Sequence, residues 1–319
     1  MKRLKWGVAG CGKYLEKGFL PVLQQLKRSK LISVYSSGSG RSRNIAGMFG
    51  ANHAFNDYSE FLKSDIDVVY ISSRNSDHHW QVIEAARAGK HILCEKPLAL
   101  GYSQAKEMVD ACAENNVELG VNYVFRFHPL IYKAKELLNN QVIGKIIYIT
   151  TNFNINYPPD NNYRFQKEHG GGALFDLGTH MIDLLRFFGG EVSDVSGYVD
   201  NVVYSSEVDD FSTGILKFKN GGYGSFNVSF NSKMPVSKIE IMGLNGIINV
   251  NNRAGRKRMS SKLTIEISGE AKKTFRKKAN MQLNLLKSFQ KAIFAKKHVR
   301  AAGTDGMINL KIMEDLLNR

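Results

Sequence analysis

Disulfide chemistry has little to work with in this chain. The three cysteines, Cys11, Cys94 and Cys112, are odd in number and fall at no metal-ligand spacing. That excludes a disulfide framework and implies a reducing compartment. No apolar run approaches the roughly 18–20 residues that cross a bilayer. Met1, Lys2 and Arg3 imitate the charged start of a secretory leader, but glycines at 7, 10 and 12 interrupt the next segment. No hydrophobic leader core can form there, so a cytoplasmic protein with no membrane partner is expected. Internal repeats and low-complexity linkers are also missing. Acidic residues are outnumbered, 29 against 44 lysines and arginines, which gives a formal net charge of +15. Such a charge favours anionic partners in general: phosphorylated cofactors, nucleotide-linked sugars, nucleic acid, a membrane surface. The densest basic stretch, Arg253 to Lys278, carries no zinc-finger or RNA-recognition signature. A solvated basic surface and no nucleic-acid partner are therefore expected.

What is present is an ordinary globular composition, 43% hydrophobic and 23% charged. At 319 residues the chain suits two domains and can bury a sizeable core. Residues 4–9 read as a first strand. Gly10-Cys11-Gly12-Lys13-Tyr14 comes next, then a helical stretch to about residue 28 in which Pro21 marks a kink or early break. Strand, glycine turn and helix are the context a dinucleotide fingerprint requires. Glycine lets the backbone approach a pyrophosphate, and the helix N-terminus favours its charge. The third position of the fingerprint is Leu15 rather than a small residue.

A second strand, 31–36, ends without the acidic residue that would hold the adenosine ribose. Ser36, Ser37, Arg41 and Arg43 stand there instead. A guanidinium fork suits a 2′-phosphate, so NADP is expected, with NAD as the alternative cofactor. The plain alternative is a basic turn that binds nothing. Strand 68–72 leads to Ser73-Arg74-Asn75-Ser76-Asp77-His78-His79, and a helix over 80–88 closes on Gly89. Strand 91–94 runs into Glu95-Lys96-Pro97. Ser103 is expected to cap a helix over 104–114, and 117–122 is a further strand. Strands alternating with helices imply an α/β Rossmann domain over 1–122, with a doubly wound parallel sheet. Ligands bind beyond the carboxyl ends of such strands. Gly10, Ser37, Asn75, Lys96 and Asn122 all lie there. A lysine emerging from a buried strand is costly unless paired or used; the bland reading of Lys96 is a surface turn.

Residues 123–319 read as a second, α+β domain with a mainly antiparallel open sheet. A helix opens within 123–138. Strands fall at 146–155, 211–217, 223–230, 238–242, 247–250 and 263–267, with a hairpin turn at 219–222. Helices at 282–294 and 304–317 close the chain, the last capped by Thr304 or Asp305. After Gly170-Gly171-Gly172, Asp176 and His180 sit four apart on one helical face. A supporting carboxylate–histidine pair or a metal pair would look the same. No third ligand stands at a recognised spacing, so no metal is expected.

The motifs Gly10-x-Gly12-Lys13-Tyr14, Ala88-Gly89-Lys90-His91-Ile92-Leu93-Cys94-Glu95-Lys96-Pro97-Leu98 and Gly170-Gly171-Gly172-x-Leu174-x-Asp176-x-Gly178-x-His180 occur in this order. In them the chain resembles the Gfo/Idh/MocA oxidoreductases over nearly its whole length. The resemblance implies Lys96, Asp176 and His180 as catalytic residues. It places Gly10, Gly12, Lys13, Tyr14, Ser36, Ser37, Arg41, Ser73, Asn75, His78, Glu95, Lys96, Asn122 and Arg164 with the cofactor. Lys96, Arg126, Asp176 and His180 are expected at the substrate. Ser73-Arg74 departs from the usual Thr-Pro. The resemblance also implies a cis Lys96–Pro97 peptide and a homodimer or homotetramer formed through the second-domain sheet. The expected activity is hydride transfer between NADP(H) and a sugar, cyclitol or sugar derivative, phosphorylated and nucleotide-linked sugars included. A catalytically silent NAD(P) sensor is the competing class, and a basic nucleic-acid-binding protein a remoter one.

Overall fold

The computed structural model describes residues 3–38, 40–160, 162–252 and 259–318. Arg253, Arg256, Lys257 and Arg258 of the basic stretch lie outside them. The chain divides into two compact units. One comprises Met1–Asn122 and Gln282–Leu310, the other Tyr123–Met281 and Lys311–Arg319. The expected second domain was continuous from 123. The structure instead returns 282–310 to the first unit.

In the first unit, strands β1 (Leu4–Ala9), β2 (Ser29–Tyr35), β3 (His53–Phe55), β4 (Val68–Ile71), β5 (His91–Cys94) and β6 (Leu119–Val121) form a sheet of order β3-β2-β1-β4-β5-β6. Every pairing in it is parallel. The central strands are near-continuous apolar runs because both faces are covered; β4, Val-Val-Tyr-Ile, is buried throughout. Helices α1 (Leu20–Leu23), α2 (Arg41–Phe49), α3 (Tyr58–Lys63), α4 (Asn75–Arg87) and α5 (Tyr102–Glu114) connect them. The strand order reverses direction at β1 and β4, the crevice where doubly wound sheets take ligands.

Three local readings change. The first helix ends near residue 24 and opens with a π turn, Leu15–Phe19. Leu15 is fully buried where a small residue was expected, and the wider turn makes room for it. Pro21 then falls in the first turn of α1, where its missing donor is tolerated. Helix α4 begins at Asn75 rather than 80, so Asn75 and His78 lie in its first turn. Ser103 lies inside α5; Gly101 is the N-cap, and Gln104 Oε1 accepts from the Leu100 backbone N–H at 3.2 Å.

The second unit holds α6 (Pro129–Asn139), β7 (Ile146–Asn156), α7 (Thr179–Gly189), β8 (Val192–Asp200), β9 (Phe211–Phe218), β10 (Tyr223–Ser229), β11 (Asn231–Gly243), β12 (Gly246–Asn252), β13 (Met259–Ile267) and β14 (Lys273–Ala279). The sheet order is β14-β13-β12-β11-β7-β10-β9-β8. It is antiparallel apart from the parallel β7–β10 pair. Helix α7 packs on β7 and β10, and α6 on β12 to β14. Strands β8 and β14 were not expected from the sequence. Strand β14 is exposed along nearly its whole length and rich in lysine and arginine, so no hydrophobic alternation marks it. It is an edge strand, and charged side chains there oppose edge-to-edge aggregation. Helices α8 (Met281–Ala295) and α9 (Gly303–Leu317) complete the chain. At the start of α9, Asp305 Oδ2 accepts from the Ala302 N–H at 3.3 Å, half of a capping box.

Candidate active site

The first glycine turn is shaped by its neighbours. Gly10 has φ +88°, and a Cβ there would lie 2.4 Å from the Ser73 backbone nitrogen. Only glycine fits. Gly12 differs: a Cβ would meet nothing within 4 Å. Glycine at 12 is not demanded by protein packing, and the open space beside it suits a pyrophosphate drawn against the backbone. Lys13 and Tyr14 are exposed at the same turn. At the second turn Ser36 is half-buried and Ser37 exposed. Arg41, the first residue of α2, donates from Nε to the Cys11 carbonyl. That bond joins the second turn to the first and holds a guanidinium beside the glycine turn.

Ser73 donates its hydroxyl to Gln81 Oε1 at 2.7 Å, and Asn75 is buried. His78, expected at the cofactor, is 0% exposed, and its Nδ1–H donates to the Pro97 carbonyl at 3.0 Å. Burial pushes its pKa down to about 4, so the ring is neutral. The enclosed neutral ring supports the 96–97 turn from behind.

The Lys96–Pro97 peptide is cis. Lys96 is half-buried at the carboxyl end of β5. Beside it, Glu95 Oε1 accepts from the Tyr70 hydroxyl and from Asn122 Nδ2. Burial raises the Glu95 pKa, while the Tyr70 hydrogen bond and the Lys96 charge oppose the rise. Asn122, 2% exposed, is in turn bonded reciprocally to Gln282 of α8.

In the second unit the triple glycine has two steric causes. A Cβ on Gly171 would lie 2.4 Å from the Arg164 carbonyl oxygen. One on Gly172, at φ +108°, would lie 2.0 Å from Asp209 Oδ1. Asp209 accepts from the Leu174 N–H at 2.8 Å and from the Ser212 hydroxyl at 2.7 Å. Leu174 opens a π turn, Leu174–Gly178, that carries Asp176 and leads directly into α7. Asp176 and His180 thus lie about one turn apart on a wide turn that passes into a regular one. Asp176 Oδ2 accepts from Arg164 Nε at 3.1 Å. Arg164 was expected at the cofactor or substrate; this hydrogen bond gives it the task of orienting Asp176. His180 is 7% exposed, edge-on to Phe125 with centroids 4.8 Å apart and to Tyr123 at 6.0 Å.

Arg126, expected at the substrate, grips Asp183 through two hydrogen bonds of its guanidinium, the Nε one 2.6 Å long, and the two side chains are 7% and 1% exposed. Tyr123 and Phe187 lie 5.9 and 5.4 Å from the guanidinium carbon. The bidentate, buried ion pair ties Arg126 to α7. Replacing Asp183 by alanine leaves that cation buried without its counter-ion. A loss of about 3–5 kcal/mol of unfolding free energy is expected in urea denaturation.

Sequence reasoning missed Asp183, Asp209, Tyr70 and Gln282. Each acts on a residue distant in sequence, and none stands in a motif. Among the described residues, no cluster of three or more His, Cys, Asp or Glu side chains could hold a metal ion. No helix among them is long and apolar enough to cross a membrane.

Comparison with known proteins places both units. Residues 4–123 match the oxidoreductase family model with the NAD-binding Rossmann fold, and residues 131–249 match the GFO/IDH/MocA C-terminal domain. An oxidoreductase of Formosa agariphila is 30% identical over 256 residues, 77% of this chain and 78% of that protein. The 1,5-anhydro-D-fructose reductase of Ensifer adhaerens is 27% identical over 311 residues, 96% and 93% of the two chains. The crystal structure of aldose-aldose oxidoreductase from Caulobacter crescentus, complexed with glycerol, superposes with a TM-score of 0.90. It is 21% identical and is covered to 97%, against 99% of this chain. A parallel sheet with an open glycine turn, joined in sequence to a mixed open sheet, is a plan shared with these proteins, and the chain belongs to the Gfo/Idh/MocA family of NAD(P)-dependent oxidoreductases.

Proposed function

We propose that the protein transfers a hydride between NADP(H) and a carbon bearing a hydroxyl or carbonyl group on a sugar, cyclitol or sugar derivative. The observation that carries this reading is the alignment of Gly12, Arg41, Lys96 and Asn122 just beyond the carboxyl ends of one parallel sheet. The similarity to 1,5-anhydro-D-fructose reductase over almost the full chain supports a carbohydrate substrate. Bound beside Gly12, a nicotinamide cofactor supplies or accepts the hydride. Lys96 polarises the reacting oxygen and stabilises negative charge developing on it. His180 exchanges the hydroxyl proton as general acid or base. Asp176, held by Arg164, orients the substrate and His180.

Arg41 supports NADP over NAD, because its guanidinium is already anchored at the glycine turn. In Arg41→Ala, NADP affinity is expected to fall about 10- to 150-fold, the loss of one charge-assisted hydrogen bond worth about 1.5–3 kcal/mol. NAD affinity stays within about twofold. Fluorescence titration with both cofactors checks this, and the opposite ranking would overturn the cofactor assignment. The substrate class is tested by absorbance assays of NADPH consumption and NADP reduction against sugars, sugar phosphates and nucleotide sugars.

The three cysteines, all buried and unbridged, support action inside the cell. Ile215, Tyr223 and Met242 are exposed on one face of the second sheet, which supports a homodimer or homotetramer formed through that sheet.

A further inference from the structure

Five polar side chains from five segments of the first unit form one hydrogen-bonded chain. The Tyr14 hydroxyl donates to Gln282 Oε1 at 2.7 Å. Asn122 Nδ2 reaches the same oxygen at 3.1 Å, and Gln282 Nε2 donates to Asn122 Oδ1 at 3.0 Å. Asn122 Nδ2 and the Tyr70 hydroxyl both donate to Glu95 Oε1. Tyr70 is itself fixed by a parallel stack on Phe19, centroids 3.5 Å apart.

The logic of the chain is directional. An asparagine amide can turn over, presenting either its oxygen or its nitrogen to a neighbour. Glu95, acceptor-only while ionised, commits the Asn122 nitrogen towards itself. Gln282 braces that arrangement, donating Nε2 to Asn122 Oδ1 and accepting on Oε1 from Tyr14 and Asn122. With Tyr70 on the same carboxylate oxygen and the Lys96 N–H also donating, Glu95 is held from three sides. Gln282 enters from α8, the segment that returns to this unit from the far end of the sequence. It is 7% exposed and stands beyond every motif of the Rossmann half.

We infer that Gln282 is a positioning residue, which through Asn122 fixes the Glu95 carboxylate as the oriented counter-ion of Lys96. The inference deepens the proposed role of Lys96 and rests on it for its catalytic meaning. The groups facing Glu95 are Tyr70 from β4, Tyr14 from the first turn, Cys94 and Lys96 from its own strand end, and Asn122 from the end of β6. Lys96 supplies the only positive charge among these, so the orientation of the carboxylate decides how well the pair is formed.

The test reads Glu95 in the protein without cofactor or substrate. Carbon-13 NMR of glutamate carboxyls, with the Glu95 signal assigned through Glu95→Gln, gives its titration midpoint. In Gln282→Leu the midpoint is expected to rise by about one pH unit as Asn122 is released. In Gln282→Glu it rises further, because the donor to Asn122 is lost and a second carboxylate is added. Turnover falls about tenfold or more in both. Unchanged Glu95 midpoints in the folded variants, with only a lower Tm, would overturn the inference and leave Gln282 as core filling. Should Gln282→Leu fail to fold, the nearly isosteric Gln282→Glu carries the test. An active Lys96→Met enzyme would remove the catalytic meaning of Lys96 while leaving the Glu95 titration result standing, so the two failures are distinguishable.

Discussion

Lys96→Met is expected to bind NADPH within about threefold of the wild type and to lose about 10²–10³ in kcat, the size of effect seen when one donor to a developing oxyanion is removed. Methionine keeps most of the length and apolar stem of lysine, so the packing at the end of β5 survives. Lys96 is half-buried, and the adjoining Glu95 carboxylate, which feels its charge, is held by Tyr70 and Asn122. A fixed charge costs no reorganisation when the substrate oxygen becomes negative. KM for the sugar changes less than kcat, because the interaction strengthens only as charge develops. Stopped-flow absorbance separates the two: cofactor binding is retained and the hydride step is slow. Turnover near the wild-type rate would contradict the assignment.

His180→Asn is expected to cost about 10²–10⁴ in kcat, the usual contribution of a positioned general acid or base. Asparagine retains a polar side chain in the space between Phe125 and Tyr123, so a large loss of stability is not expected. The pH–rate profile discriminates the role. If His180 moves the proton, the variant loses the limb of the kcat/KM profile that the histidine sets. A profile of unchanged shape at lower amplitude would assign His180 to substrate placement alone. The Tyr123 hydroxyl meets Thr179 Oγ1 at 3.1 Å, which ties this aromatic wall to the helix that carries the histidine.

Much of this was legible in the residues. Strands 4–9 and 91–94 coincide with β1 and β5, because continuous apolar runs bounded by glycine or by Glu-Lys-Pro leave no other reading. The carboxyl-end positions followed from where the expected strands end. What was not legible depends on partners far away in sequence. Asp183, the partner of Arg126, stands 57 residues away and in no motif. The bond of His78 to the Pro97 carbonyl depends on α4 starting at Asn75 rather than 80. Gln282 has no motif, and only the return of 282–310 to the first unit gives it a role. Two π turns, at 15–19 and 174–178, escaped the 3.6-residue period; the first follows directly on Tyr14 and the second carries Asp176.

The most direct test of hydride transfer is to supply NADPH deuterated at the transferable nicotinamide position, together with the carbonyl forms of the active sugars, and to weigh the products. One deuterium is expected on the carbinol carbon of a sugar product made by the wild type, and at most a trace from Lys96→Met under the same conditions. Bound NADPH with no deuterium in any product across sugars, sugar phosphates and nucleotide sugars would contradict hydride transfer to a carbohydrate. Equal labelling by the Lys96→Met enzyme would contradict the role given to the lysine.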